Sequence, residues 1–384
     1  MSFEDSAEYI AKAKNLFTIG AAFTTNTSKG HDFFDISTHT LAALNTRTTG
    51  YSFLDKSLNG GYSNKTLVVL MGGPKTGKSM WLCNLAAQSV KNGYNTLYIT
   101  LELPYQKVSQ RIGANMFNIP MAQYNETVKD NNLFAKKVQE FRTNQLGKLG
   151  TFILEEFPTS TATAEMIEAF AIKKQEEISA LTGKDFKFDN VYIDYLNIMR
   201  DMKNPNSENT YLKIKSICED VRAMAQRNEW CVISVTQTNR GGTESSDLNM
   251  TDVSESAGLT ATVDALFGII RTTMMRAEGC YYLKAVAMRD SPLMGCKKRY
   301  TFNDTYLRLA EDLTEEIIAD GVDIPSIYVS ATANGVAKYQ QNNRGYNNQT
   351  PQQPAPIQQG TSLIQTPQLG ISESQLTGAD LFKM

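Results

Sequence analysis

From Gly72 to Ser79 the chain reads Gly-Gly-Pro-Lys-Thr-Gly-Lys-Ser. Gly72 and Gly77 frame four residues, Gly73, Pro74, Lys75 and Thr76, and Lys78 and Ser79 follow directly, which completes the G-x-x-x-x-G-K-[ST] spacing. Each part serves a polyphosphate. The glycines let backbone N–H groups close around phosphate oxygens, Lys78 can reach the β and γ phosphates, and Ser79 can offer its hydroxyl to magnesium. The apolar run before the loop reads as a strand, and the helix after it presents a positive end to the same phosphates. The segment is a nucleoside triphosphate site.

Further chemistry is expected where strands end. Asn190-Val191-Tyr192-Ile193-Asp194 is an apolar strand closing on a carboxylate, and Asp194 would hold magnesium through water. Many strands end in Asp, so this reading leans on the phosphate loop. Glu102 closes the strand after the loop helix. It could orient and deprotonate an attacking water, or simply be an acidic residue favoured at a helix N-terminus. Gln237 closes the strand from Cys231; its amide could report the γ phosphate or merely cap the sheet, and the residues leave both open.

The elements that position these groups alternate. A strand leads into the phosphate loop and a helix from Met80 to Val90 follows, stopped by Gly93. Strands are expected at 95–100, 151–154, 191–193, 231–236, 265–270 and 281–286, with helices at 164–181 and 211–225. Pro104 suits the first turn of another helix. Such alternation predicts an α/β fold with a mainly parallel sheet covered by helices on both faces, whose ligands gather at the carboxyl ends of the strands.

Composition sets bounds. At 384 residues the chain can bury a core of full domain size. A net charge of -2 provides no global basic field, so any nucleic-acid contact must be local or made by backbone amides. Five scattered cysteines without a C-x-x-C pair read as reduced core thiols. No signal peptide opens the sequence and no apolar run approaches the ~20 residues that span a bilayer, so a cytoplasmic protein without a membrane partner is expected. An amphipathic helix is expected over 5–19, and 21–46 reads as a linker.

Six separated segments then carry a resemblance: 49–79, Tyr98-Ile99-Thr100-Leu101-Glu102, Ile193-Asp194-Tyr195-Leu196, Glu208-Asn209-Thr210-Tyr211, Val235-Thr236-Gln237 and 247–258. Together they resemble hexameric replicative DNA helicases of the DnaB family, most of all the type found in T-even bacteriophages, in family order across residues 47–312. The resemblance implies a RecA-like ATPase core in a homo-hexameric ring, with ATP and Mg2+ at subunit junctions and single-stranded DNA in a central channel. It casts Lys78 and Ser79 as phosphate and magnesium ligands, Glu102 as catalytic base, Asp194 as the second magnesium-holding group and Gln237 as the sensor linking γ phosphate to DNA. Arg289 would reach the neighbour's γ phosphate. Ser254, Glu255, Ser256, Ala257 and Gly258 match a loop that touches the DNA backbone, and Arg240, Arg200 and Lys203 are further channel candidates, although loop cations are usually just solvated.

Two features depart from the family pattern. A lysine two residues before the Arg is replaced by Ala287, and Lys284 sits at an odd offset from Arg289 that should turn the two side chains to opposite faces. The N-terminal helical collar domain, which recruits primase, is expected to be absent, leaving the 1–20 helix as its linker. Primase and a helicase loader remain further expected partners. Residues 313–338 form an extension of uncertain character, and 339–384, rich in Gln, Asn, Pro and Gly, are expected to be disordered. The function expected is ATP-driven translocation on single-stranded DNA and duplex unwinding at a replication fork, in the host cytoplasm if the source is a bacteriophage. A RecA-type recombinase and an ATP-gated single-stranded-DNA-binding adaptor are the alternatives.

Overall fold

The computed structural model describes residues 32–34, 46–145, 148–204, 207, 209–237, 257–289, 291 and 293–319, without the side chains of 257 and 258. The expected helix over 5–19, most of the 21–46 linker, Arg240, Ser254, Glu255, Ser256 and the 339–384 tail lie outside the described residues.

One ten-stranded sheet runs through the described residues. Its parallel centre is made by β1 (Thr66–Gly72), β2 (Thr96–Thr100), β3 (Phe152–Glu156), β4 (Asn190–Asp194), β5 (Cys231–Gln237) and β6 (Ala265–Ile270). These lie in the spatial order β6-β1-β5-β4-β2-β3, each pair parallel. The order follows from crossover helices. A parallel strand cannot be joined by a tight turn, so each connection climbs over a face through a helix. Beyond β6 the direction changes: β7 (Cys280–Met288), β8 (Cys296–Asn303), β9 (Arg308–Glu311) and β10 (Ile318–Ala319) pair antiparallel, and β10 carries the packed sheet past Asp312 to residue 319.

Alternate strand residues feed two separate cores, because successive side chains point to opposite faces. Val68, Leu70, Tyr98, Tyr192, Ile233 and Phe267 face one way, onto Trp81, Leu82 and Leu85 of α2 (Lys78–Lys91) and Val108 and Ile112 of α3 (Tyr105–Met116). Leu67, Val69, Leu97, Ile99, Val191 and Val232 face the other way, where α6 (Ala164–Thr182) and α7 (Thr210–Asn228) supply Ile167, Ala171, Ile217, Val221 and Met224. Each buried aliphatic side chain of this kind stabilises the fold by about 1.5–3 kcal/mol relative to exposure. All five cysteines are buried and none is joined in a disulfide; Cys83, Cys218, Cys231 and Cys296 lie within these cores. Among the described residues no helix is long and apolar enough to cross a membrane.

Five further helices complete the layers among the described residues. α1 (Ser52–Ser57) starts where the Glu311 carboxylate accepts the Ser52 backbone N–H at 2.9 Å, which fills an otherwise orphaned donor. α4 (Tyr124–Lys129) and α5 (Asn131–Asn144) stand beside α3, and the Asp130 side chain caps α5 by accepting from Asn132 and Leu133. α8 (Ala257–Thr262) leads into β6, and α9 (Thr273–Ala277) separates β6 from β7.

A bulge in β7 overturns the expected facing of Lys284 and Arg289. Leu266 pairs with Ala287 and Phe267 with Ala285, which leaves Val286 as an extra residue. Val286 and Ala287 both pack against the α6/α7 core, whereas Leu283 and Ala285 belong to the α2/α3 core. The inserted residue restores even parity, so Lys284 and Arg289 share the α7 face. Simple alternation could not show this.

Candidate nucleotide site

The parallel registers bring the expected chemistry to one edge. Gly72, the last residue of β1, is paired with Gln237, the last of β5, and Thr100 of β2 is paired with Asp194 of β4. Carboxyl ends of four strands therefore converge. Glu102 follows two residues beyond β2 and is exposed, while the Leu101 backbone N–H donates to the Asp194 carbonyl at 2.8 Å and ties that turn to β4.

The loop itself is a backbone cradle. Thr76 Oγ1 donates to the Gly73 carbonyl at 2.8 Å, and Lys78 Nζ donates to the carbonyls of Gly72 and Gly73 at 3.2 and 2.9 Å. Gly77 sits at φ 94°, in the left-handed region where a side chain is strained, and an added Cβ would lie 2.6 Å from the Tyr281 hydroxyl. α2 begins there without a side-chain cap, in contrast to α5, α6 and α7, whose first N–H groups are taken by Asp130, Thr163 and Asn209. The uncapped amides of a 14-residue helix are left facing the loop, the arrangement that receives phosphate.

Asp194 is fully buried. Ser79 Oγ donates to Oδ1 at 3.2 Å and Tyr98 OH donates to Oδ2 at 3.3 Å. Burial is the main cause that pushes its carboxyl up to about 6; the nearby Glu102 charge adds to the shift, and the two hydroxyl donors oppose it. A buried carboxylate hydrogen-bonded by a tyrosine and a serine hydroxyl is an oxygen donor set that suits magnesium, which takes few protein ligands and completes its shell with water and phosphate. The residues present therefore fit Mg2+ with a nucleotide triphosphate. Burial lowers the Lys78 ammonium below its ordinary range, and the carboxylates Glu102 and Asp194 oppose that. Glu102, Asp194 and Lys78 thus lie within one another's fields.

Several supporting residues carry no motif signal. Asn197, just after β4, accepts from Thr236 Oγ1 at 2.8 Å and from the Gln237 backbone N–H at 3.3 Å, fixing the end of β5. Its place three residues after Asp194 was the one available hint. Arg276 donates to the Lys75 carbonyl at 3.1 Å, and Arg271 lies 4.1 Å above the Tyr281 ring. Both come from the antiparallel side, which periodicity does not connect to the loop.

The remaining candidates are placed apart. Arg200 is exposed just beyond β4, and Lys203 is ion-paired with Asp220 of α7. Ala257 and Gly258 open α8. Arg289 follows β7 at the other end of the sheet, since Ala265 pairs with both Val68 and Met288, and Asp264 is bonded to Leu67. From Leu67 to Gly72 is roughly 16 Å of strand at about 3.3 Å per residue. Arg289 is thus remote from its own phosphate loop.

Comparison with known proteins agrees with this geometry. Residues 47–299 match the family described as DnaB-like helicase C-terminal domain. A DnaB-like replicative helicase of Enterobacteria phage T4 is 30% identical over 269 residues, covering 68% of this chain and 54% of that protein. A replicative DNA helicase DnaB of Buchnera aphidicola is 25% identical over 269 residues, covering 68% and 55%. The chain thus spans about half the length of these curated relatives. The solved structure of a DnaB-like replicative helicase, described with its interactions with primase, superposes with a TM-score of 0.59 at 17% identity, covering 79% of this chain and 74% of that one. The sheet order and the converging strand ends are those of a RecA-like fold, and the chain belongs to the DnaB-like helicase C-terminal-domain family.

Proposed function

We propose that the chain is the motor of a replicative DNA helicase, hydrolysing ATP at the junctions of a homo-hexameric ring to move along single-stranded DNA and separate duplex at the fork. The observation that carries this is the split of the site. Ser79, Asp194, Gln237 and the Glu102 turn meet at one end of the sheet, while Arg289 stands at the other. In this reading a second subunit completes the first one's site.

In this mechanism the backbone of 72–77 and Lys78 hold the triphosphate, and Ser79 and, through water, Asp194 would hold magnesium. Magnesium, when bound, neutralises charge on the β and γ phosphate oxygens. Glu102 takes a proton from the water that attacks in line, and the charge on the transferring group is offset by Lys78 and by Arg289 of the adjacent subunit. Gln237, anchored through Asn197, passes the state of the γ phosphate toward the DNA-facing loops, where 254–258, Arg240, Arg200 and Lys203 are the contacts. Lys203 is the weakest of these, because Asp220 already neutralises it. Action at a fork places the protein in the cytoplasm, with a primase and a loader as partners. The test is direct: purified protein with ATP and Mg2+ should unwind a forked duplex, with hydrolysis stimulated by single-stranded DNA and abolished by chelation. Hydrolysis indifferent to DNA, or strand exchange in place of unwinding, would overturn the reading.

A further inference from the structure

Asp264 lies between the end of α8 and the start of β6, and its carboxylate is shared. Oδ2 accepts the Leu67 backbone N–H at 2.9 Å and Arg222 Nε at 3.2 Å, while Oδ1 accepts Arg222 Nη2 at 2.8 Å. The same Oδ1 lies 3.4 Å from Arg289 Nε. Arg289 is gripped further by the last carbonyls of α8 and the residue beyond, with Nε donating to Val263 at 3.2 Å and Nη2 to Ala261 and Thr262 at 3.2 and 3.4 Å. Its backbone N–H donates to the Asp264 carbonyl at 3.1 Å.

We infer that Asp264, steadied by Arg222 and the Leu67 amide, is a positioning residue that holds the Arg289 guanidinium ready for the neighbouring subunit's triphosphate. The inference rests on the trans role proposed above for Arg289. Three observations carry it. Arg222 alone already gives Asp264 a two-point partner, so the additional approach of Arg289 is not needed to satisfy the carboxylate. Every one of these acceptors engages the Nε and Nη2 edge, and the side chain remains 42% exposed. The carbonyls that assist belong to a helix C-terminus, whose negative partial charge attracts a cation. A long arginine held along one edge has lost its rotamer freedom before the junction forms, which is what pre-organisation for a charged transition state requires.

The test uses the full chain, with steady-state ATP hydrolysis in the presence of single-stranded DNA. Asp264→Asn should lower kcat by a factor on the order of 10 to 10², the scale of a misplaced reacting group, with KM for ATP changed by no more than about twofold, because its own phosphate loop is untouched. It should also sort with Arg289: mixed with Lys78→Ala it recovers activity, mixed with Arg289→Ala it does not, and the double variant Asp264→Asn/Arg289→Ala is no slower than Arg289→Ala alone. A general folding defect would not sort in this way. Should Asp264→Asn prove insoluble, Arg222→Gln carries the same test, with a several-fold loss in the same complementation group expected and wild-type turnover overturning the inference. Wild-type kcat in Asp264→Asn beside an inactive Arg289→Ala overturns the role of Asp264 and leaves the ring mechanism standing. Full activity in Arg289→Ala overturns the reading beneath it.

Discussion

Ser79 donates its hydroxyl to Asp194 at 3.2 Å, joining the first turn of α2 to the end of β4 across 115 residues of chain. Burial holds the Asp194 carboxyl at about 6, against an ordinary 3.8. The folded chain therefore binds this proton more tightly than the unfolded chain does. Stability falls as pH rises from about 4 through about 6 and is level above that, with a cost at neutral pH on the order of 3 kcal/mol.

Asp194→Asn removes that cost. In protein free of nucleotide and magnesium, it should raise Tm at pH 7 by several degrees, at roughly 2–4 °C per kcal/mol for a domain of this size, and the gain should vanish near pH 4. Hydrolysis should be lost at the same time. A thermal scan at the two pH values checks this, and a lower Tm than wild type at pH 7 would contradict it.

Glu102→Gln separates binding from chemistry. The side chain is exposed and outside the two cores, so folding and ATP-dependent assembly should survive. Turnover should drop by a factor on the order of 10² or more, the usual share of a general base. Lys78→Ala should instead weaken nucleotide binding itself, as measured by titration calorimetry. Wild-type turnover in Glu102→Gln would remove that residue from the mechanism.

Gly77→Ala meets two obstacles, the left-handed φ of 94° and the Tyr281 hydroxyl 2.6 Å from the new Cβ. Strain of about 1–2 kcal/mol is expected from the backbone alone, and the clash should displace the cradle, so nucleotide affinity should fall further than Tm. Adding Tyr281→Phe removes the nearest atom of the clash and should restore part of the affinity. No recovery in the double variant would mean that the backbone strain alone sets the loss.

The elements that build the site were legible because their signals are local. The phosphate loop is a contiguous spacing, β4 is an apolar run ending in a carboxylate, and α7 shows Ile214, Ile217, Val221 and Met224 on one buried face. What could not be read were elements whose residues contradict their type. β8 is absent from the expected strands because it opens Cys296-Lys297-Lys298-Arg299, a run of cations in place of an apolar one; in the fold Lys298 donates to the Glu315 carbonyl, and Arg299 lies 3.4 Å from both Asp312 and Glu278. The parity of Lys284 and Arg289 was misread for a related reason. A bulge is decided by pairing with β6, and no feature of β7 alone announces it. Asp264 was missed because it matters through Leu67, Arg222 and Arg289, residues distant in the chain.

The most direct test of the composite site mixes two inactive proteins. In the proposed mechanism Arg289→Ala lacks the trans cation and Lys78→Ala lacks the phosphate-binding lysine, and each alone should hydrolyse little ATP. When they are combined, junctions that pair the intact Lys78 of one subunit with the intact Arg289 of the other are chemically complete. ATPase measured across a mixing series should rise to a maximum at intermediate ratios and increase with total protein concentration, as assembly does. Partial recovery satisfies this expectation. Activity that stays at the sum of the two separate proteins at every ratio, or Arg289→Ala alone turning over like wild type, would contradict the account.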